Sequence, residues 1–384
     1  MSWSDPKNNF TTLLDQKRRA GMPLVDLSVS NPTETFTDYP HARIREAFLA
    51  LNTFQYQPEP LGAEAARTAI AGWYRRRGIT IEPGQLALTA STSEAYALLF
   101  KLLCNPGDEI VVPTPSYPLF DYLALLESVK PVPYRLAYDG NWFIDFPSLQ
   151  AAISPRTRAI VTVNPNNPTG SFLKAPEAEQ LIAIAQQRNL PVISDEVFMD
   201  FPLVTSEGRV RTLIGRDTIL SFSLNGLSKT AGMPQMKLAW IAMNGPSEAR
   251  AAARTRLELL LDTYLSVGTP VQDALPDLLE IGGEMHAQVT ARLESNWTAL
   301  ATLLESSPVQ QLHVEGGWSA ILRLPNVLPE ETWVTHLLAD CGVVVQPGYF
   351  FDILSGANVV VSLITPPEIF IEGIRRIRHF AGQV

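Results

Sequence analysis

The chain has 384 residues, 46% hydrophobic and 18% charged, with a net charge of −9. That length exceeds what one hydrophobic core supports and predicts two domains. The acidic balance, with no run of five like charges, argues against a nucleic-acid or anionic-membrane partner.

Two cysteines, Cys104 and Cys341, give no disulfide framework and favour a reducing compartment. The first residues, MSWSDPKNNF, hold no apolar core of a signal peptide, and no run of 18 apolar residues follows. The expectation is a cytoplasmic protein.

Short Val/Ile-rich runs read as buried strands at Glu109–Val112, Ala159–Val163, Val192–Ser194, Ile219–Ser223 and Leu238–Met243. Helical periodicity fills Glu94–Leu103, Tyr117–Ser128 and Ala175–Arg188. Alternating strand and helix predict an α/β fold, with a mainly parallel sheet sandwiched by helices. Ligands of such sheets sit at the loops after the strands. A long helical stretch from near Pro246 breaks around Gly268–Pro270 and resumes to about Ser306. Strands at Ala320–Leu324, Val343–Gln346 and Val359–Leu363 follow, with helices near 329–339 and 366–381. The expected division is a large domain at 46–280, with 1–45 joining a smaller α+β domain at 281–384.

Five segments carry chemistry-bearing residues at strand ends. In SFSLNGLSKTAGMPQMKLAW, Lys229 follows an apolar strand among small residues. Burial there would lower its pKa and suit Schiff-base chemistry, whereas a plain surface loop is the alternative. In AIVTVNPNNPTG, Asn167 sits in a turn and either shapes it or offers an amide to a ligand oxygen. In PVISDEVFMDF, Asp195 ends a strand, as a helix cap or as the partner of a cationic ring nitrogen. In LTASTSEAYALL, Ser91, Thr92 and Ser93 open a helix, as a cap or as a phosphate cradle. In VPTPSY, Tyr117 follows a double-proline loop and either packs on the surface or stacks on a flat ring.

The order and spacing of these five segments resemble the fold type I pyridoxal-phosphate enzymes, the class I/II aminotransferases, from about Leu27 to about Phe380. The resemblance implies pyridoxal 5′-phosphate as cofactor and a transaminase acting on an amino donor and a 2-oxo acid in amino acid metabolism. It makes Lys229 the Schiff-base lysine and proton carrier, and Asp195 the partner of the pyridinium nitrogen. Asn167 would bond the phenolic oxygen, with Tyr117 and Val197 on the two ring faces and Phe198 beside them. Ser91, Thr92, Ser93, Ser228 and Lys237 would hold the phosphate. Tyr56, in YQPEPLG, would reach the phosphate of a partner subunit, which implies a homodimer with shared active sites. Asn31, Trp318 and Tyr349 are implied at the substrate, and no metal is called for.

Four departures from the family pattern stand out. Phe198 replaces a tyrosine, removing a hydroxyl from the phenolic oxygen. Gly226 replaces a phosphate-binding serine, for which Ser228 or Ser223 are the available substitutes. Lys237 replaces an arginine, keeping charge but losing the bidentate fork. The carboxylate-binding arginine is missing: ANVVVSLITPP places Val360, or Val361 by a one-residue slip, at its position. Two other readings stay open. One is different chemistry with the same cofactor, such as β-elimination, racemisation or decarboxylation. The other is a non-catalytic sensor domain that binds the cofactor.

Overall fold

The computed structural model describes residues 8–49, 56–205 and 208–384. Residues 1–7, at the head of the expected 1–45 segment, and residues 50–55 and 206–207, within the expected 46–280 domain, lie outside the described residues. The described strands are β1 (Val25–Asp26), β2 (Leu86–Thr89), β3 (Glu109–Thr114), β4 (Lys130–Tyr138), β5 (Trp142–Ile144), β6 (Thr157–Val163) and β7 (Val192–Asp195). They continue with β8 (Ser221–Gly226), β9 (Ala239–Asn244), β10 (Gln310–Gln311), β11 (Ser319–Leu324), β12 (Val343–Val344), β13 (Gln346–Pro347) and β14 (Ala357–Ser362).

Eight strands form one sheet in the order β2-β9-β8-β7-β6-β3-β4-β5. Its centre is parallel, from β8 through β7, β6 and β3 to β4. Both margins are antiparallel, so the sheet as a whole is mixed. Successive side chains of the apolar strands enter different cores, as a pleat requires. Ile110 and Val112 pack with Leu99 and Leu257 on one face. Val111 joins Leu181 and Ile184 on the other. Both faces are covered, which explains why these strands read as unbroken apolar runs.

Strand β4 was not foreseen, because Pro131 and Pro133 interrupt its pattern. The structure shows how they are tolerated. Lys130 N–H donates to Asp108 O, on the β3 side. The nitrogens of 131 and 133 therefore face the other way, where β5 pairs only from Leu136 onward. The prolines occupy a stretch of open edge and cost no ladder bond.

The helices follow their expected bounds closely. Thr92–Leu103 opens on Ser91, and Pro118 delays the next helix to Leu119–Leu126. The long stretch resolves into Ser247–Tyr264, Thr269–Asp273 and Leu275–Leu304. The last of these buries residues at helical spacing, among them Leu278, Gly282, Met285, Val289, Leu293 and Leu300. It runs unbroken across position 280, where the domain boundary was expected. A Cβ at Gly282 would lie 2.6 Å from Ala231 Cβ, so this helix packs directly on the turn that follows Lys229.

A second sheet, β10-β11-β14-β13, is antiparallel throughout. The amino-terminal stretch is stitched to it. β1 pairs with β12. Leu27 N–H donates to Val344 O at 2.9 Å, and Ser362 N–H donates to Leu27 O at 2.7 Å. Among the described residues, no helix is long and apolar enough to cross a membrane.

Candidate active site

The parallel strands present their carboxyl ends at one sheet edge, and the loops there carry the unusual residues. Asp195 ends β7, and Asn167 follows β6. Tyr117 follows β3, and Ser91 follows β2. Lys229 sits in the one-turn helix Leu227–Thr230, inserted where β8 reverses into β9. All five line a single cavity of about 470 Å³, together with Thr92, Ser93, Val197, Phe198, Ser228, Lys237 and Trp318.

Lys229 and Asp195 form the charged centre. Burial pushes the Lys229 ammonium down to about 8, against a partial opposing pull from Asp195. Burial pushes the Asp195 carboxyl up to about 6, restrained by the Val197 N–H, the Tyr96 hydroxyl and the Lys229 charge. Asp195 Oδ1 accepts from Val197 N–H at 3.2 Å, and Oδ2 accepts from Tyr96 O–H at 3.1 Å. The carboxylate thus makes a local turn contact and still faces the cavity. Each group keeps its charge at a cost that a ligand of complementary charge would relieve.

The neighbouring Glu196 is fully buried and turned away from the cavity. It accepts from Ser194 Oγ at 2.8 Å, Thr212 Oγ1 at 2.6 Å, Leu213 N–H at 2.9 Å and Ser223 Oγ at 3.1 Å. Ser223 is therefore committed to Glu196, and of the two candidate substitutes at the phosphate only Ser228 lines the cavity. Gly226 is required by packing. A Cβ there would meet Ala239 Cβ at 2.7 Å and Cα at 2.9 Å, which leaves no room for a serine. Asn225 then ties the strand to the lysine turn. Its Oδ1 accepts from Gly226 N–H at 2.7 Å and from Thr230 Oγ1 at 2.8 Å, while its Nδ2 donates to Glu196 O at 3.1 Å.

At the other end of the cavity, Ser91 is a helix cap, its Oγ accepting from Glu94 N–H at 3.1 Å. Thr92 and Ser93 open the 12-residue helix with backbone donors not used inside it. Lys237 adds an exposed cation on the same cavity. Asn167 Oδ1 accepts from Ser319 Oγ at 3.2 Å, which leaves its amide nitrogen to donate. Phe198 packs edge-on against Trp318, with centroids 5.4 Å apart. The Lys229 amine lies 4.8 Å from the Trp318 ring centroid and 5.6 Å from that of Phe198.

Three sequence-predicted residues lie outside this cavity. Asn31 caps the short helix Pro32–Thr35, accepting from Thr33 and donating to Glu34 Oε1 at 2.7 Å. Tyr349 packs edge-on against Phe350, which does line the cavity. Tyr56 is 75% exposed and lines a separate surface hollow with Leu261, Leu265 and Gln272.

Sequence reasoning missed Tyr96 and most of the wall from the second sheet. Tyr96 was within reach, since it lies four residues after Thr92 on one helix and so shares its face. Ser28, Ser30, Gln346 and Ser362 carried no local signal, because strand pairing between distant segments brings them together.

The chain matches the model of the family "Aminotransferase class I and II" over residues 23–368. Glutamate-pyruvate aminotransferase AlaA of Escherichia coli (strain K12) is 32% identical over 262 residues, 67% of this chain and 64% of that protein. The matched chain thus spans under two thirds of that relative's length. Tyrosine aminotransferase of Homo sapiens is 27% identical over 375 residues, 94% of this chain and 81% of that protein. The solved alanine aminotransferase from Pyrococcus furiosus superposes with a TM-score of 0.87 at 25% identity, covering 98% of this chain and 96% of that one. A family match across nearly the whole chain, on a fold and cavity of this form, means that the chain belongs to the class I and II aminotransferases.

Proposed function

We propose that the protein is a pyridoxal-phosphate-dependent aminotransferase, moving an amino group from a donor amine to an oxo acceptor. The observation that carries this is the presence of a half-buried lysine, Lys229, and a half-buried aspartate, Asp195, in one cavity, the lysine's pKa lowered by desolvation. Members of the family use pyridoxal 5′-phosphate, and the donor set suits each part of that molecule. Lys229 supplies an amine for its aldehyde, and Asp195 an anion for its ring nitrogen. Asn167 supplies an amide for its phenolic oxygen. The helix start at Thr92–Ser93, Ser228 and Lys237 supply donors for its phosphate. Tyr117 and Val197, which both line the cavity, would flank the ring. When bound, the cofactor draws electrons away from the substrate carbon.

The residues then have separable tasks. Lys229 would hold the cofactor through its amine, and its Nζ would serve as the proton carrier beside the substrate carbon. Asp195, which accepts from Tyr96 and the Val197 N–H, would hold the ring nitrogen protonated. Trp318 and Phe198 exclude water around the lysine. We further propose a cytoplasmic homodimer in which Tyr56 meets the partner's site. Residues 1–45 with 281–384 would form a smaller unit over 46–280.

The test is borohydride treatment of cofactor-saturated protein, followed by peptide mass spectrometry. Label is expected on Lys229 and absent from Lys229→Ala. Label on another lysine would overturn the assignment.

A further inference from the structure

We infer that Asn225 is a positioning residue for the reaction: its carboxamide replaces one backbone rung between β7 and β8 and thereby sets the placement of Lys229 against Asp195. This rests on the aminotransferase reading above and adds to it a residue that does not line the cavity.

β7 and β8 run parallel, with Asp195 opposite Leu224. The Glu196 N–H donates to Leu224 O at 2.9 Å. In a regular parallel ladder the next rung would carry the Gly226 N–H to Glu196 O. Here the Gly226 N–H instead donates to Asn225 Oδ1 at 2.7 Å, and Asn225 Nδ2 donates to Glu196 O at 3.1 Å. The side chain is spliced into the ladder, its oxygen standing in for Glu196 O and its nitrogen for the Gly226 N–H. A backbone N–H only donates and a carbonyl only accepts, so these two partners fix which way the amide points. The Thr230 hydroxyl then donates to the same Oδ1 at 2.8 Å.

The splice lies between the two charged groups of the site. Glu196 directly follows Asp195, while Gly226 and Thr230 bracket Lys229. The lysine stands in a helix of four residues, too short to hold its own shape. Asn225 grips it on both sides of the lysine. Asn225 and Glu196 are fully buried and Thr230 nearly so, which keeps water from replacing these bonds. Glu196 is itself anchored by four donors, so the β7 side is fixed and the lysine turn is the side free to shift. Further ties reach the turn from Leu238 and, just beyond it, from Tyr39, neither of them on the strand that carries Asp195.

The titration of Lys229 reports where the turn holds it. Desolvation lowers the amine to about 8, and the Asp195 charge opposes that shift. A loosened turn would let water reach Nζ and carry it away from this setting, so its pKa would rise toward 10.5. The titratable groups that share the cavity with Lys229, among the described residues, are Asp195, Lys237, Tyr96 and Tyr117. A change at Asn225 or Thr230 leaves all four in place.

The experiment uses the full chain and two readouts. Cofactor-free protein is reductively methylated across a pH series and Lys229 is followed by peptide mass spectrometry, and the holoenzyme is assayed with any accepted donor. Asn225→Ala should move the Lys229 midpoint upward from near 8 by about one pH unit. Its kcat should fall about a hundredfold, the scale of a small misplacement of a reacting group, with the donor KM little changed. Thr230→Val removes one of the three bonds and should move both readouts the same way by less; it carries the test if Asn225→Ala does not fold. Thr230→Ser keeps the hydroxyl and should return the midpoint to near 8. A lowered melting temperature with the Lys229 midpoint unmoved would make Asn225 a fold-stabilising residue only and overturn the inference. If borohydride fixes cofactor on Lys229 and the midpoint is unmoved, the aminotransferase reading stands and the positioning role alone falls. If the label appears on another lysine, that reading fails and takes the role of Asn225 with it.

Discussion

The edge of the large sheet and the wall from the small sheet enclose the same cavity but are built on opposite principles. The sheet edge holds charge: Lys229, Asp195 and Lys237, with Asp195 secured by Tyr96 and by Val197. The wall holds neutral groups: Ser28, Ser30, Trp318, Ser319, Gln346 and Ser362. The difference teaches that the two sides face different demands. A fixed cofactor lets the protein commit charges permanently, because their desolvation is offset each time the cofactor binds. A wall of neutral side chains carries no such charge to desolvate.

The comparison can be broken most directly on the charged side. Asp195→Ala should still bind cofactor but lose about a thousandfold in turnover, the scale seen when a preorganised charge is removed from a transition state. Near-normal turnover, measured with any accepted donor, would remove Asp195 from the ring. A second measurement reads the lysine itself. Burial lowers its pKa from 10.5 to about 8, so at pH 8 about half of Lys229 is neutral, against well under a hundredth for a solvated lysine. Reductive methylation of cofactor-free protein, followed residue by residue, should find Lys229 about a hundredfold more reactive than surface lysines at that pH. Its profile should rise with a midpoint near 8, because the neutral amine appears above the folded pKa. A midpoint near 10.5 would show that the amine is not desolvated. The smallest effect sharpens the comparison. Tyr96→Phe removes one hydrogen bond to a carboxylate and should cost about tenfold in kcat. Losing a donor to the ionised form raises the Asp195 pKa, so the acid limb of the rate profile should move to higher pH. A rate loss without that movement would make Tyr96 a packing residue only.

The two sides also differ in how legible they were from sequence. Lys229, Asp195, Asn167 and Ser91–Ser93 each stand at the end of an apolar run, so local pattern located them. The same pattern supplied the strands of the sheet centre, because strands buried on both faces read as plain apolar stretches. Strand β4 was hidden by prolines whose placement on an open edge only the pairing reveals. The wall was hidden for a stronger reason. Ser28, Gln346 and Ser362 are unremarkable alone, and only long-range pairing makes them neighbours. Asn31 and Tyr349 do not line the cavity. Both lie close to wall residues in sequence, yet one is consumed by a helix cap and the other turns outward onto Phe350.

The stitch through Leu27 has a consequence for how the molecule is made. Its N–H binds Val344 and its carbonyl binds Ser362, so residues translated early await ones translated more than three hundred positions later. On the ribosome, the lysine-bearing edge has all its strands once residue 244 has emerged, whereas the pocket stays open on one flank until residue 362 follows. A nascent chain stalled between those points would own the charged edge of the cavity and lack its neutral wall.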